Sequence, residues 1–194
     1  DIKEVHGSTP YGAGTIAVRT ALRQAAAGAE VVLACPAPGL LPDLDPILAA
    51  VVLEALASAR IDVLPEVSVA GVEPETDAAR VVLADGTILG EFNSIVPAQP
   101  LGGGVDGLDL STTGVTVDEA GWIRVDETGL TGETRIRAAG GVTGQALEPG
   151  AAHRHGELVA EVICGIDSLW DPVIMPVWID TPIPVSWCGL NETR

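Results

Sequence analysis

Apolar residues in this chain alternate between stretches at helical spacing and short unbroken runs, the texture of helices laid against a buried sheet. Ile16, Ala17, Leu22 and Ala26 recur at helical intervals while Arg19, Arg23 and Gln24 fall on the side facing water, which predicts a helix over residues 14–27. The run Glu-Val-Val-Leu-Ala at 30–34 predicts a buried strand. Pro36, Pro38, Gly39 and Pro42 mark a loop, and Asp45-Pro46 supplies a cap and a first-turn proline. A second helix is expected over 46–59, burying Ile47, Val51, Leu53 and Leu56, and a strand over 61–64. The texture then becomes a meander of three strands, at 68–72, 79–83 and 88–92, with Asp85-Gly86 as a hairpin turn. A further strand is expected at 94–96, and Gly102-Gly103-Gly104 marks a crossing between lobes. Beyond it, strands are expected at 115–117, 122–125 and 136–139, then a helix over 151–164 closed by Gly165. The tail at 172–190 reads as the opening strands of another sheet.

Between the degraded run Val5-His6-Gly7-Ser8-Thr9-Pro10-Tyr11 and the first helix lies Gly12-Ala13-Gly14-Thr15-Ile16-Ala17, 16 residues ahead of the Gly28-Ala29-Glu30 strand start. A glycine turn, an amphipathic helix and a short apolar strand at this spacing form the unit that seats a dinucleotide. Gly12 permits the tight turn, Gly14 lets a pyrophosphate approach the backbone, and Ala17 keeps the helix close to the sheet. The helix start offers its N–H groups to the anion. The same residues also serve a purely structural strand-to-helix turn, and Pro10 makes the preceding strand short or absent.

Composition narrows the class further. The 194 residues are 47% hydrophobic but only 3% aromatic, so the core is aliphatic. With 10 basic against 27 acidic residues the net charge is −17, a field that repels nucleic acid and anionic membrane surfaces. A transmembrane run of about 20 apolar residues is absent from the sequence. The cysteines Cys35, Cys164 and Cys188 form no metal-type cluster and read as buried free thiols of a reducing, cytoplasmic compartment. His153 and His155 read as surface residues, and Trp122, Trp178 and Trp187 as core or interface anchors.

Six segments in order resemble the pyridine nucleotide–disulfide oxidoreductases, the flavoenzyme family of dihydrolipoamide dehydrogenase and mercuric reductase. They are the glycine turn with its GAEVVL strand, GLLPDLDPILAAVVLEAL at 39–56, VVLADGTI at 81–88, WIRVDE at 122–127, IRAAGGVTG at 136–144, and the 176–192 segment ending Gly189-Leu190-Asn191-Glu192. The resemblance covers almost the whole chain. It implies an α/β fold: a Rossmann-like NAD(P)-binding lobe with a three-stranded meander at 1–96, a partial FAD-binding lobe at 97–165, and the first strands of an interface (dimerisation) domain at 166–194. It implies NAD or NADP, and FAD, as cofactors, with hydride passing from NAD(P)H to flavin. The positions implied for cofactor contact are Gly12, Gly14, Thr15, Ile16 and Ala17 at the pyrophosphate and Cys35 at the adenosine ribose. Gly140, Gly141 and Val142 would lie against the flavin, and Ala152 at the helix start facing it. The expected partners are the dinucleotide and a homodimer mate or partner chain through 172–194, with no nucleic acid and no membrane.

The departures from the family's pattern are equally specific. Its CxxxxC pair and its His–Glu acid/base pair are missing from these 194 residues, so no exchanging thiol is assigned. Cys35 stands where an acidic residue would take the ribose hydroxyls, Arg19 where a glutamate lies near the flavin and nicotinamide, Ala98-Gln99-Pro100 where an ATG turn falls, and Gly141 where an aspartate contacts the ribityl chain. Two readings therefore stand: an NAD(P)/FAD-dependent oxidoreductase portion, or a non-catalytic nucleotide-binding or assembly module derived from that family.

Overall fold

A computed structural model describes residues 3–7, 14–36, 40–41, 44–97 and 102–189. These divide into two compact units, one built on the chain up to Pro100 together with Trp178–Ser186, the other on Leu101–Val177 with Trp187–Leu190.

The first unit holds a parallel sheet of β1 (Lys3–Gly7), β2 (Glu30–Cys35), β3 (Ile61–Pro65) and β7 (Ser94–Pro97), in the order β3-β2-β1-β7. Contrary to the expectation from Pro10, β1 is a full five-residue strand, paired in parallel with β2 on one side and β7 on the other. Proline lies beyond its last residue, so it removes no ladder bond. Helix α1 (Thr15–Ala26) links β1 to β2, and α2 (Pro46–Ser58) links β2 to β3. Asp45 caps α2 as expected, its carboxylate accepting from Ile47 N–H at 2.8 Å. Ala17 and Leu56 are buried as expected, but the faces of both helices otherwise differ from those expected. In α1 the buried residues are Ala17, Val18 and Ala21, while Ile16 is 46% exposed. In α2 they are Val52, Ala55 and Leu56, whereas Ile47 and Leu53 face outward. In α1 two alanines and a valine turn inward, and these small side chains let the helix approach the sheet closely.

Between β3 and β7 the chain makes the meander of β4 (Val69–Pro74), β5 (Ala79–Leu83) and β6 (Ile88–Phe92), antiparallel in that order. Asp85-Gly86 turns it: Gly86 has φ +85°, Thr87 N–H donates to the Asp85 carboxylate at 2.9 Å, and Leu83 N–H closes on Thr87 C=O at 2.8 Å. Val81 and Phe92 form a buried cluster against Val32 of β2 and Ile95 of β7, so the meander shares a core with the parallel sheet.

The second unit is built mainly from loops and α3 (Pro149–Ile163). The expected strands at 115–117, 122–125 and 136–139 are not strands; the segments meet only in isolated antiparallel bridges, Val117↔Ile123 and Leu130↔Arg137. Two copies of one turn replace the ladders. In Asp118-Glu119-Ala120-Gly121-Trp122 the Asp118 carboxylate accepts from Ala120 and Trp122 N–H, both at 2.9 Å. In Asp126-Glu127-Thr128-Gly129-Leu130 the Asp126 carboxylate accepts from Thr128 and Leu130 N–H at 2.8 and 3.0 Å. Each glycine is left-handed, with φ +83° and +74°. This short repeat is legible in the sequence once the Asp-Glu-X-Gly pattern is sought.

The tail carries β8 (Val177–Ile179) and β9 (Val185–Trp187), paired as a two-stranded sheet. Ile179 and Val185 are buried, while Trp178 and Ile183 are exposed. Among the described residues no helix is long and apolar enough to cross a membrane.

Candidate functional site: strand ends and a glycine turn

In an open parallel sheet, ligands bind outside the carboxyl ends of the strands, where the strand order reverses direction. Here that point lies between β1 and β7, where Gly7 pairs with Ala34 on one side and Pro97 on the other. The helix α1 begins just beyond it. Gly14 is its N-cap with φ −86° and ψ −177°, and Val18 N–H makes the bond to Gly14 C=O at 3.3 Å. By helix geometry the N–H groups of Ile16 and Ala17 precede the first such bond and have no acceptor within the helix. A Cβ added at Gly14 would meet nothing within 4 Å among the described residues, so the backbone there is open to close approach. Thr15, Ile16 and Ala17 form the first turn of α1; Gly12 lies outside the described residues.

Cys35 ends β2, beside Pro65 of β3. It is 1% exposed, and burial pushes its thiol up to about 11. A neutral, buried thiol is a poor acceptor and a poor nucleophile. The other two cysteines, Cys164 and Cys188, are exposed, correcting the expectation that all three are buried. Arg19 on α1 donates through Nη2 to the Trp178 carbonyl, and its guanidinium carbon lies 5.6 Å from the Trp178 ring centroid. It is anchored rather than a simple solvated arginine.

In the second unit, residues Gly140–Thr143 form a 3₁₀ turn. Gly140 is left-handed at φ +77°, and Thr143 Oγ1 donates to Gly140 C=O at 2.8 Å. Val142 C=O accepts from Ile123 N–H at 3.0 Å, tying the turn to the bridge segment. Gly141 is exposed, and a Cβ there would meet only the Ala146 carbonyl, at 4.0 Å. We therefore expect Gly141→Asp to change stability by less than about 0.5 kcal/mol, checked by urea titration. A larger loss would show that the turn has no room for a carboxylate. Ala152 N–H is taken by Glu148 C=O at 2.8 Å, so the N–H groups left to the start of α3 are those of Gly150 and Ala151.

The sequence reading missed two residues behind this turn. His155, expected on the surface, is fully buried and stacks on Trp170, with ring centroids 4.4 Å apart and planes 15° from parallel. Gly140 N–H donates to its Nδ1 at 3.3 Å. The signal was present: Ala151, His155, Leu158 and Val159 share one stripe of α3, and all are buried. Nearby, Val125, Asp126, Glu127, Thr128, Gln145 and Trp170 line a cleft of about 470 Å³. Burial works to raise the Asp126 carboxyl, but hydrogen bonds from Thr128 and Leu130 and the Arg137 charge outweigh it and hold the group below its ordinary value. Among the described residues no cluster of His, Cys, Asp and Glu is arranged to hold a metal ion.

Residues 10–160 match the family described as Pyridine nucleotide-disulphide oxidoreductase. The chain belongs to that family. Among its relatives is a dihydrolipoyl dehydrogenase of Zymomonas mobilis, 30% identical over 159 residues, which cover 80% of this chain and 34% of the relative. A dihydrolipoyl dehydrogenase of Buchnera aphidicola is 26% identical over 185 residues, covering 93% of this chain and 39% of that protein. The fold matches the HOCl-induced flavoprotein disulfide reductase RclA of Escherichia coli in its Cu(II) complex, with TM-score 0.86 at 21% identity, over 98% of this chain and 42% of that one. It also matches LpdA of Mycobacterium tuberculosis, with TM-score 0.83 at 20% identity, over 99% of this chain and 40% of that one. The chain thus spans between 34% and 42% of the length of these proteins.

Proposed function

We propose that this chain is the NAD(P)-binding and partial FAD-binding portion of a dihydrolipoyl dehydrogenase-like oxidoreductase. The assignment is residues 1–96 to the NAD(P) lobe, 97–165 to the second half of the FAD lobe and 166–194 to the start of a dimerisation domain. The observation that carries it is the sheet order β3-β2-β1-β7 with the start of α1 just beyond the carboxyl end of β1. The cofactors, when bound, supply hydride transfer from nicotinamide to flavin; the chain supplies binding and orientation.

The residues fit a pyrophosphate. Gly14 lets it approach, and the N–H groups of Thr15, Ile16 and Ala17 begin a helix whose N-terminal dipole favours an anion. The ribose position is less well served, because the Cys35 thiol is neutral and buried. At the flavin, Gly140, Gly141, Val142 and the start of α3 near Ala152 offer backbone groups and no carboxylate. The worn positions Cys35 and Gly141 favour, as a second reading, a non-catalytic nucleotide-binding or assembly module. The exposed apolar residues Val173, Ile174, Trp178 and Ile183 support a homodimer or a partner chain at 172–194.

Calorimetric titration of the 194-residue chain with NADH separates the oxidoreductase reading from an assembly module indifferent to nucleotides. Saturable micromolar binding is expected, and Gly14→Val should weaken it at least about tenfold, since its side chain fills the space the pyrophosphate needs. The same substitution should cost only about 1 kcal/mol of stability, as a poorer cap facing open space. Absence of heat at millimolar NADH would sink the oxidoreductase reading in favour of the assembly module.

A further inference from the structure

His155 sits behind the Gly140–Thr143 turn in an unusual bonding state. Its Nδ1 accepts the Gly140 N–H at 3.3 Å, so in the neutral ring the proton must be on Nε2. That Nε2 is buried without a protein acceptor, and so is Nε1 of Trp170, on which the ring stacks. We propose that His155 is the positioning residue of the Gly140–Thr143 turn and holds it only as a neutral imidazole, so that protonating the ring releases the turn.

The geometry gives the reason. An imidazolium carries a proton on both nitrogens and needs two acceptors. At Nδ1 it would meet the Gly140 N–H, donor against donor; at Nε2 there is no acceptor among the described residues. A tryptophan face attracts a cation, but it replaces neither hydrogen bond. No carboxylate among the described residues lies within ion-pair distance of the ring. On α3, Arg154 is held by Glu161 at 2.8 Å, with Glu157 at 3.6 Å, and His153 lies against Glu157 at 3.3 Å. The turn itself carries no ionisable side chain. On the segment bearing Trp170, Asp167 is exposed and the Asp171 carboxylate accepts from Val173 N–H at 2.9 Å. Burial alone holds the ring below its ordinary value of 6.5. The folded turn therefore binds fewer protons than the released one, and its hold is complete above about pH 6.5 and lost as the pH falls. Gly140 is the residue that gives way, because its left-handed φ of +77° places the N–H that His155 receives.

The functional meaning of the switch rests on the reading of this turn as flavin-facing, but its test needs no cofactor. The measurement is the amide hydrogen-exchange protection of Gly140 in the whole chain from pH 5 to 7.5, taken relative to the unstructured rate at each pH, with the β2 amide of Leu33 as reference. In the native protein, protection of Gly140 should fall by up to about tenfold per pH unit below 6.5, while that of Leu33 stays level. His155→Asn keeps an acceptor but cannot titrate, so its protection should be flat and high. His155→Phe keeps the stack without an acceptor, so its protection should be flat and low. A flat native profile, a His155→Asn profile that still falls, or Gly140 and Leu33 falling together would each overturn the proposal. Failure of the NADH titration would leave this result standing, so the two readings fail separately.

Discussion

Replacing Gly103 by alanine is expected to destabilise the second unit by about 2–4 kcal/mol, while the same change at Gly104 should be close to neutral. A Cβ at Gly103 would lie 1.8 Å from the Gly121 carbonyl oxygen and 2.4 Å from its carbon. Both atoms are backbone, so no rotamer relieves the overlap. Gly121 cannot yield readily either, for its N–H donates to Asp118 C=O at 3.0 Å and the Asp118 carboxylate clamps Ala120 and Trp122. The 103 segment must move, breaking the bond from Gly103 N–H to Ala120 C=O at 3.2 Å. Overpacking costs about 1–3 kcal/mol and a lost backbone hydrogen bond about 1 more. At Gly104 an added Cβ meets nothing within 4 Å, and a lost glycine makes the unfolded chain less free. Urea titration followed by tryptophan fluorescence, to which Trp122, Trp170 and Trp187 of this unit contribute, reads the difference. Equal midpoints for the two variants would show that the crossing at Gly103 is not tight.

The glycine triplet was recognisable in the sequence as a crossing, but which of its members is irreplaceable was not. That depends on Gly121, 18 positions away. The same holds for much of the second unit. Runs such as 115–117 and 122–125 have strand-like composition, yet around the Asp118 turn they meet each other only in the isolated bridge Val117↔Ile123, with Arg124 N–H donating to Thr116 C=O at 3.0 Å. Composition reports a preference for extended backbone; it does not report whether a neighbouring strand is there to pair with.

The first unit was more legible because its signals are local. Asp45-Pro46 starts α2 and Asp85-Gly86 turns the meander through groups a few residues apart. The glycine turn at α1 is likewise a local pattern, and Gly14, Thr15, Ile16 and Ala17 lie at the start of the helix as expected. His155 escaped because a histidine in the polar run His153-Arg154-His155-Gly156-Glu157 looks solvated, and only the spacing from Ala151 to Leu158 places it inward. The bond from Gly140 to its Nδ1 joins residues 15 apart and has no trace in either segment alone.

Helix α2 shows where periodicity fails, and it carries the second large effect. Its sequence Pro-Ile-Leu-Ala-Ala-Val-Val-Leu-Glu-Ala-Leu-Ala-Ser is apolar on nearly every side, so no stripe marks the buried face. The fold selects Val52, Ala55 and Leu56. Leu56 is 0% exposed and Ile47 is 77% exposed, although both were expected inside. Leu56→Ala should therefore cost about 2–5 kcal/mol, the lost transfer energy plus the cavity left between α2 and the sheet. Ile47→Ala should cost less than about 0.5 kcal/mol. Urea unfolding followed by far-ultraviolet circular dichroism separates them, since a deficit of this size is a large fraction of the stability of a small domain. If the two substitutions cost the same, α2 is rotated from the face described, and the carboxyl ends of β2 and β3 that flank Cys35 are no longer fixed as a platform for a dinucleotide. If they differ as expected, the aliphatic core beneath the glycine turn is rigid enough that a failure to bind NADH must be sought in Cys35 and its neighbours rather than in the fold.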